Sequence, residues 1–375
     1  HRNMGERSKV YMTDLRCRPG VSLLNKLEKL MRTAGIGEIN FERKLVAIKM
    51  HFGEPGNLAF LRPNYAKVVA DVVKSLGGVP FLTDCNTLYP GRRKNALEHL
   101  DAAYENGFSP LSTGCQVIIG DGLRGNDDVE VPVEGAEYIQ TAKIGKAIME
   151  ADVIISLSHF KGHEQTGFGG AIKNLGMGCG SRRGKMEQHA QGKPMVAPRR
   201  CVGCRRCATQ CAHGAITFGE DRKASIDWDK CVGCGRCIAV CNTDAIRPGN
   251  DAAMEELGCR MAEYAKAVVD GRPQFHISLV IDVSPYCDCH GENDLPIVPD
   301  VGMFASFDRW RWTRPAPTPA GNSPPSPAPT WTSRCTGRAS ATSTTTSSTA
   351  CRTPTGGCAW PTVRKSASAP APTSW

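Results

Sequence analysis

The chain has 375 residues, enough for two domains or for one large domain with an insertion. No apolar run reaches the roughly 18 residues that a membrane-spanning helix needs, so no membrane partner is expected. The net charge is +9, but residues 309–375 carry eight basic residues and no acidic ones, which leaves 38 basic against 37 acidic residues elsewhere. This balance gives no support to a nucleic-acid partner.

The cysteines indicate a reducing compartment. There are 18 of them, a number that could also suit a disulfide-rich secreted scaffold. The first residues, His1 to Arg7, lack the apolar core of a secretory signal, and many of the thiols cluster at ligand spacing. We therefore expect a cytoplasmic protein.

Strand-like and helix-like segments alternate through the body of the chain. Strands are predicted over 9–13, 45–50, 79–83, 117–119, 153–157, 276–283 and 301–307. Helices are predicted over 23–31, 63–76, 92–106, 142–150 and 254–268, with a hairpin or short connection over 129–138. Ser22 can cap the first helix, and Pro63 suits the first turn of the second. The alternation predicts an α/β fold, with a mainly parallel sheet flanked by helices.

Two cysteine runs lie thirty residues apart and agree at nine of sixteen aligned positions. Each reads C-x-x-C-x-x-C-x-x-x-C, and together they comprise Cys201, Cys204, Cys207, Cys211, Cys231, Cys234, Cys237 and Cys241. Each iron of a cubane cluster takes one thiolate, and two-residue spacing lets successive sulfurs surround one cluster. The spacing predicts two [4Fe–4S] clusters. Structural zinc is the alternative, because C-x-x-C pairs also bind zinc, although the third cysteine of each run would then be surplus.

The runs resemble those of bacterial two-cluster ferredoxins, in which the fourth cysteine of each run binds the other cluster. The resemblance implies one cluster held by Cys201, Cys204, Cys207 and Cys241. It implies a second held by Cys231, Cys234, Cys237 and Cys211. Ala212 and Asn242 stand where the bacterial runs usually have proline. The cysteine block is thus expected to be a small α+β ferredoxin-like domain inserted into the α/β domain.

Three loops follow predicted strands, where open α/β sheets bind ligands. They cover 51–57, 159–180 and 287–290. The candidate catalytic residues in and beside them are His51, His159, Lys161, His163, Glu164 and Lys173. Cys179, Cys287 and Cys289 are candidates for an extra metal site, and the last two are too close in sequence for an easy disulfide. Alternatively, glycine amides could bind a phosphate or carboxylate beside Lys161 or Lys173, or the histidines could simply be packed.

The order of these motifs over about residues 8–308 resembles the family catalogued as domain of unknown function 362. The resemblance implies architecture and cofactor but no reaction. No P-loop or G-x-G-x-x-G pattern supports a nucleotide site. The expected organisation is an α/β domain over 8–195 and 249–308, interrupted by the ferredoxin-like domain over 196–248. Cys17, Cys85, Cys115 and Cys259 are predicted to be small core residues.

Residues 309–375 differ in composition from everything before them. They are rich in Pro, Ala, Thr and Ser and contain no Ile, Leu, Met or Phe. A disordered basic tail is one interpretation. A shifted reading frame is the other, because one base inserted before the codons of 309–313 permits a normal globular continuation. Cys335, Cys351 and Cys358 are therefore assigned no chemistry.

The sequence predicts an iron–sulfur redox protein that passes electrons between an unidentified partner protein and a site on the α/β domain, which could hold a small-molecule ligand. Two alternatives remain open: a non-catalytic electron carrier or redox sensor, and an accessory protein that handles metal or clusters. A pocket lined jointly by the three loops and lying near a cluster would favour the first hypothesis.

Overall fold

The computed structural model of the protein describes most of the chain before the tail. The described residues are 9–307, with gaps at 89–90, 164–165, 191–192, 212, 232, 234–235 and 250–253. Two site candidates, Glu164 and Cys234, lie outside the described residues, as does the whole of 309–375.

Fifteen strands and ten α-helices are present in this part of the chain. The strands are β1 (Tyr11–Thr13), β2 (Leu45–Lys49), β3 (Val79–Asp84), β4 (Gln116–Ile119), β5 (Asp128–Pro132), β6 (Thr141–Gly145), β7 (Val153–His159), β8 (Lys161–His163), β9 (Gly167–Gly169), β10 (Pro194–Val196), β11 (Ile216–Phe218), β12 (Ala224–Ile226), β13 (Ile246–Pro248), β14 (Gln274–Val280) and β15 (Gly302–Ser306). The helices are α1 (Leu23–Thr33), α2 (Pro63–Ser75), α3 (Ala96–Glu105), α4 (Pro110–Thr113), α5 (Lys146–Glu150), α6 (Ala171–Cys179), α7 (Arg182–Ala190), α8 (Arg206–Thr209), α9 (Arg236–Ala239) and α10 (Met254–Val269). A short 3₁₀ helix covers Ile36–Glu38.

Seven strands form one sheet in the order β1-β15-β14-β7-β2-β3-β4. The pairs β14–β7, β7–β2, β2–β3 and β3–β4 are parallel, and only β15 runs against its neighbours. The predicted α/β class with a mainly parallel sheet is thereby confirmed. β7 is buried along its whole length, as expected for a central strand covered on both faces.

Alternate residues of the central strands face two separate apolar cores. Val46 and Ile155 pack on the side of α1 and α2, whereas Ala47 and Ile154 pack on the side of α6 and α10. The period of two along each strand places neighbouring side chains on opposite faces of the sheet. The sheet is thus the middle layer of three, and its strand ends are held rigidly from both sides.

Several predicted elements have different boundaries. The segment predicted as one helix over 142–150 is divided between β6 and α5, because its first half pairs with β5 in a hairpin. The helix predicted from residue 92 begins at Ala96, after Asn95 accepts hydrogen bonds from the amides of the first turn. Of the four cysteines predicted to be core residues, Cys85 and Cys115 are buried, but Cys17 and Cys259 are exposed.

The glycine-dense segment predicted to be a loop contains β9 and the helix α6. Glycine is required there for close helix packing, because a Cβ added at Gly176 would overlap the Met261 carbonyl of α10. The loop prediction was wrong because glycine has a low helix propensity in isolation. Here the tertiary contact between α6 and α10 overrides that propensity.

The cysteine block, 196–248, is built from two similar halves. β10, α8 and β11 recur thirty residues later as β12, α9 and β13. β11 pairs with β12, and β10 pairs with β13, so each half supplies one strand to each two-stranded sheet. Gly203 and Gly233 occupy matching positions and share a positive φ, 69° and 71°. The sequence repeat is therefore also a repeat of backbone structure.

Candidate functional site

The carboxyl ends of β2 and β7 lie side by side at the point where the strand order of the sheet reverses. The chain runs from β2 to β3 and β4 on one side, whereas β7 and β14 lie on the other. Ligands of open α/β sheets bind at such a switch point. A cavity of about 370 Å³ lies here, lined by the ends of β2 and β3 and by the segments after β7 and β14.

All three predicted loops contribute to this cavity. His51 lines it from the first loop, Lys161 and His163 from the second, and Cys287 and Cys289 from the third. α6, α7 and α10 complete the wall with side chains that include Lys173, Lys185 and Met261. The sheet topology thus brings together residues more than two hundred positions apart in the chain.

His51 makes two polar contacts at the cavity wall. The Gly53 amide donates to Nδ1 at 2.9 Å, and Nη1 of Arg93 lies 2.9 Å from Nε2. Nε of Arg93 also donates to the Glu54 carboxylate at 2.6 Å. Burial, followed by the charge of Arg93, lowers the pKa of His51 to about 3. The imidazole is therefore neutral near pH 7.

Lys49 and Asp84 form a buried ion pair at the ends of β2 and β3, with 2.9 Å between Nζ and Oδ1. Asn174 accepts from the same ammonium at 2.8 Å and donates to the Lys49 carbonyl. Burial opposes the charged carboxylate, but the Lys49 ammonium, together with Lys185 and other neighbouring groups, outweighs it and holds the pKa of Asp84 well below its usual range. This pair fixes the floor of the cavity.

Asp288 connects the second and third loops. Its carboxylate lies 2.9 Å from Nδ1 of His159 and 3.0 Å from the Lys161 ammonium, and it is almost completely buried. His159 Nε2 is 2.7 Å from the Ile281 carbonyl, which can only accept. Both ring nitrogens are therefore engaged, and His159 acts as an anchor for Asp288. Burial opposes the Asp288 carboxylate, yet His159 and Lys161 keep its pKa far below the ordinary value.

Cys287 and Cys289 flank this anchored carboxylate. The Lys173 ammonium lies 2.9 Å from Sγ of Cys287. A hydrogen bond from the Cys289 thiol, together with Lys173 and Lys161, holds the pKa of Cys287 well below that of a free cysteine despite burial. The pKa of Cys289 is raised, first by that same hydrogen bond and then by burial. The pair is thus arranged as one thiolate and one thiol.

Cys179 does not share this position. It ends α6 inside the apolar core, where Cys85 Sγ lies 3.4 Å from its carbonyl and where burial raises the pKa of its thiol to about 11. Among the described residues, no three His, Cys, Asp or Glu side chains are arranged to hold one metal ion. The residues proposed as an extra metal site are therefore divided between the core and the cavity.

Sequence reasoning missed five charged residues of this region: Lys49, Asp84, Arg93, Lys185 and Asp288. Three of them had a usable signal, because Lys49 and Asp84 end apolar strands and Asp288 lies between two candidate cysteines. Arg93 and Lys185 come from segments that reach the cavity only through tertiary packing.

Amide-to-sulfur contacts recur in both halves of the cysteine block. The Ala215 amide donates to Cys211 Sγ at 3.4 Å, and thirty residues later the Ala245 amide donates to Cys241 Sγ at 3.2 Å. Burial opposes ionisation of Cys241, but hydrogen bonds from the Ile246 amide, the Thr243 hydroxyl and the Ala245 amide together lower its pKa. Hydrogen bonds of this kind stabilise thiolates.

Two equivalent lysines form hydrogen bonds that connect the two halves of the block. Lys193 donates to the Cys231 carbonyl at 2.8 Å, and Lys223, thirty residues later, donates to the Cys201 carbonyl. Each lysine thus binds the first cysteine of the opposite run. This contact ties the two halves into one unit.

The block and the cavity share a wall. Leu88 lines the cavity and belongs to the same buried apolar cluster as Cys201, Cys207 and Cys237. α7 passes between the two regions, presenting Lys185 to the cavity while Met186 joins that cluster. Nearby, Lys94 pairs with Asp244 of the block.

Comparison with known proteins gives a family and distant relatives. The profile of the family described as domain of unknown function (DUF362) matches residues 46–311, which include both the cavity and the cysteine block. A thylakoid-associated protein from Synechocystis sp. is 29% identical over 163 residues, 42% of this chain and 46% of that protein. The chain thus matches about half the length of this curated relative.

Two solved structures show a weaker likeness. The lactate racemase apoprotein from Thermoanaerobacterium thermosaccharolyticum aligns with a TM-score of 0.37 and 12% identity, over 68% of this chain and 49% of that one. A structural-genomics protein from Thermotoga maritima aligns with a TM-score of 0.37 and 12% identity, over 76% of this chain and 54% of that one. In the described part of the chain, no helix has the length and apolar character needed to cross a membrane.

Proposed function

The chain belongs to the DUF362 family, and on that premise we propose that it is an iron–sulfur redox protein. Its two [4Fe–4S] clusters exchange single electrons with a partner protein and with a small-molecule ligand in the switch-point cavity. The observation that carries the proposal is the shared wall between the cysteine block and the cavity, formed by Leu88 and by α7, which presents Lys185 to the cavity and Met186 to the block.

The number and spacing of the cysteines support two cubane clusters. One is assigned to Cys201, Cys204, Cys207 and Cys241, and the other to Cys231, Cys234, Cys237 and Cys211. Amide donors already point at sulfur in both halves, and hydrogen bonds to the sulfurs are one means by which proteins set cluster potentials. When bound, the clusters would supply one-electron transfer.

The cavity fits a small polar ligand. It is lined by Lys161, Lys173 and Lys185, and by the neutral His51 at the switch point. Apolar side chains of α10, among them Leu257 and Met261, cover the opposite side. Buried apolar walls with a few fixed polar groups are typical of sites for small molecules. The convergence of all three predicted loops beside the block favours this hypothesis over a carrier whose α/β part only docks partners.

Metal and sulfide analysis of anaerobically purified full-length protein tests the cofactor. We expect about eight irons and eight sulfides per reconstituted chain. Fewer than about six irons, or zinc in their place, would contradict two clusters.

A pair of variants identifies the ligands. Cys207→Ser removes a proposed ligand and should lower the iron content by about half, to roughly four per chain. Cys17→Ser changes an exposed cysteine outside the block and should leave iron unchanged. Equal iron content in the two variants would show that the block does not hold the clusters.

A further inference from the structure

The segment that follows β14 places two sulfur atoms in the wall of the cavity. Cys287 is 2% exposed and Cys289 is partly exposed, and both line the cavity. The Cys287 sulfur lies 2.9 Å from the Lys173 ammonium of α6. A cationic neighbour of this kind stabilises the thiolate, which is the nucleophilic form of cysteine.

This segment is fixed on several sides. Asp288 is held by His159 and Lys161. Arg93 Nη2 lies 3.5 Å from the Cys289 carbonyl, and the Asn57 amide donates to the His290 carbonyl at 3.1 Å. A segment held from several elements keeps its reactive atoms in one arrangement, which is the requirement for a precise chemical site.

We propose that Cys287 and Cys289 form a redox-active dithiol that reduces a small, anionic disulfide bound in the cavity. The chemistry of the dithiol stands on these contacts alone. Its regeneration by the clusters rests on the function proposed above.

The electrons and atoms of the cycle balance. The Cys287 thiolate attacks one sulfur of the substrate, which breaks the substrate S–S bond, forms a mixed disulfide and releases a first thiolate. The Cys289 thiol then loses its proton and attacks the Cys287 sulfur, which forms the Cys287–Cys289 disulfide and releases a second thiolate. The substrate gains two electrons and two protons, one from Cys289 and one from solvent. Two electrons, which the two proposed clusters would supply, and one proton would restore the thiolate–thiol pair.

Two features of the site favour this chemistry. Cysteines separated by a single residue form a strained disulfide, and strained disulfides have higher reduction potentials and are the labile ones. The two one-electron clusters together match the two electrons that such a bond needs. The Cys287–Cys289 bond would therefore be a short-lived intermediate and not a structural link.

The charge and size of the cavity indicate the substrate class. The volume of about 370 Å³ suits a small molecule. Lys161 and Arg93 reach it, each from an ion pair, and Lys185, whose ammonium donates to the Gly180 carbonyl at 2.6 Å, adds a third cationic side chain to the lining. A substrate that carries carboxylates would be drawn to this wall, and a cationic disulfide would be repelled.

Trapping experiments on the anaerobic full-length protein test the proposal. In Cys289→Ser, 3,3′-dithiodipropionate, a small disulfide with two carboxylates, should stop at a mixed disulfide on Cys287, located by peptide mass mapping. In Cys287→Ser trapping at Cys289 should be at least about tenfold slower, because the Lys173 ammonium bonds the sulfur at position 287 and acts on Cys289 only through its charge. Cystamine, a cationic disulfide of similar size, should react with Cys289→Ser at least about tenfold more slowly than 3,3′-dithiodipropionate.

Further variants keep the test decisive. Lys173→Gln in the Cys289→Ser background should slow the trapping by about tenfold or more, because the thiolate fraction falls. Cys259→Ser, in which an exposed cysteine of α10 is replaced, should behave as the parent protein. Equal trapping at positions 287 and 289, or no difference between the two probes, would overturn the proposal.

Iron analysis of the same samples separates the two proposals. Trapping at Cys287 in protein without iron would leave the dithiol standing and contradict the clusters. Full iron content without trapping at Cys287 would contradict the dithiol and leave the clusters standing.

Discussion

The cavity and the cysteine block are assembled from contacts of very different range. In the cavity, Lys161 pairs with Asp288 from 127 residues away, and Arg93 reaches His51 across 42 residues. In the block, the Ala215 amide binds the sulfur of Cys211 only four residues earlier, and the same contact recurs thirty residues later. The cavity therefore depends on the completed sheet, whereas the block is defined by its local sequence.

This difference has an energetic consequence. The α/β part has two large apolar cores, one on each face of its sheet. The block has three-residue strands and a small apolar cluster that includes its own cysteines. Units of about 40 to 60 residues bury too little surface for secure stability without a metal or a cross-link. The block should thus depend on its cofactor, and the cavity should not.

Removal of iron by a chelator should produce the largest difference in amide hydrogen exchange between the two regions. We expect amide hydrogen exchange in β10–β13 to lose its protection almost completely, because metal binding supplies the folding free energy of such units. Exchange in β2 and β7 should remain slow. Equal loss of protection in both regions, or none in either, would show that the two do not differ in this way.

The second largest expected effect is a loss of folding stability that arises at the cavity. Asp288→Asn would leave Lys161 and His159 buried without their carboxylate, and breaking one side of a buried ion pair costs about 3–5 kcal/mol. Urea unfolding of the α/β part would measure this loss. Asp101→Asn, at an exposed site on α3, should change the free energy of unfolding by less than about 0.5 kcal/mol. A similarly small change for Asp288→Asn would mean that the carboxylate is not needed to hold the two loops together.

The same difference explains what could be predicted from the sequence. The cysteine repeat is visible in the sequence itself, and the predicted strands place His51, Lys161 and Cys287 in loops that follow strands without knowledge of the fold. Arg93 has no such signal, because its position depends on how the segment before α3 returns to the sheet. The hypothesis that Cys179 shares a metal site with Cys287 treats the glycine-rich segment as a loop. The position of Cys179 in the core follows from the packing of α6 on α10 at Gly176, which no local pattern reveals.

The pH dependence of stability tests the neutral state of His51. Its folded pKa of about 3 lies below the ordinary value of 6.5, so the unfolded chain binds a proton that the folded protein excludes. The contribution of His51 is complete above pH 6.5 and is lost as the pH falls toward 3. Between pH 6.5 and 5 the loss should be at most about 2 kcal/mol, since the ring is partly exposed to the cavity.

The matched variants isolate this group. His51→Gln should flatten the fall in unfolding free energy between pH 6.5 and 5, and His213→Gln, at an exposed site in the block, should not. The interval from pH 6.5 to 5 lies above the pH range in which Asp84 and Asp288 take up protons, because the pKa values of both carboxyl groups are lowered. An unchanged slope in His51→Gln would show that His51 is not held neutral.

The smallest effect concerns the connection between the two regions. Lys94, one residue after Arg93 of the cavity wall, pairs with Asp244 of the block, and this pair is only partly buried, with 11% and 30% of the side chains exposed. Solvent screening limits such a pair to about 0.5–1 kcal/mol. A double-mutant cycle with Lys94→Gln and Asp244→Asn should give a coupling energy in this range that falls with added salt. A coupling energy above about 2 kcal/mol would show that this pair joins the two regions more strongly than a solvent-screened contact can.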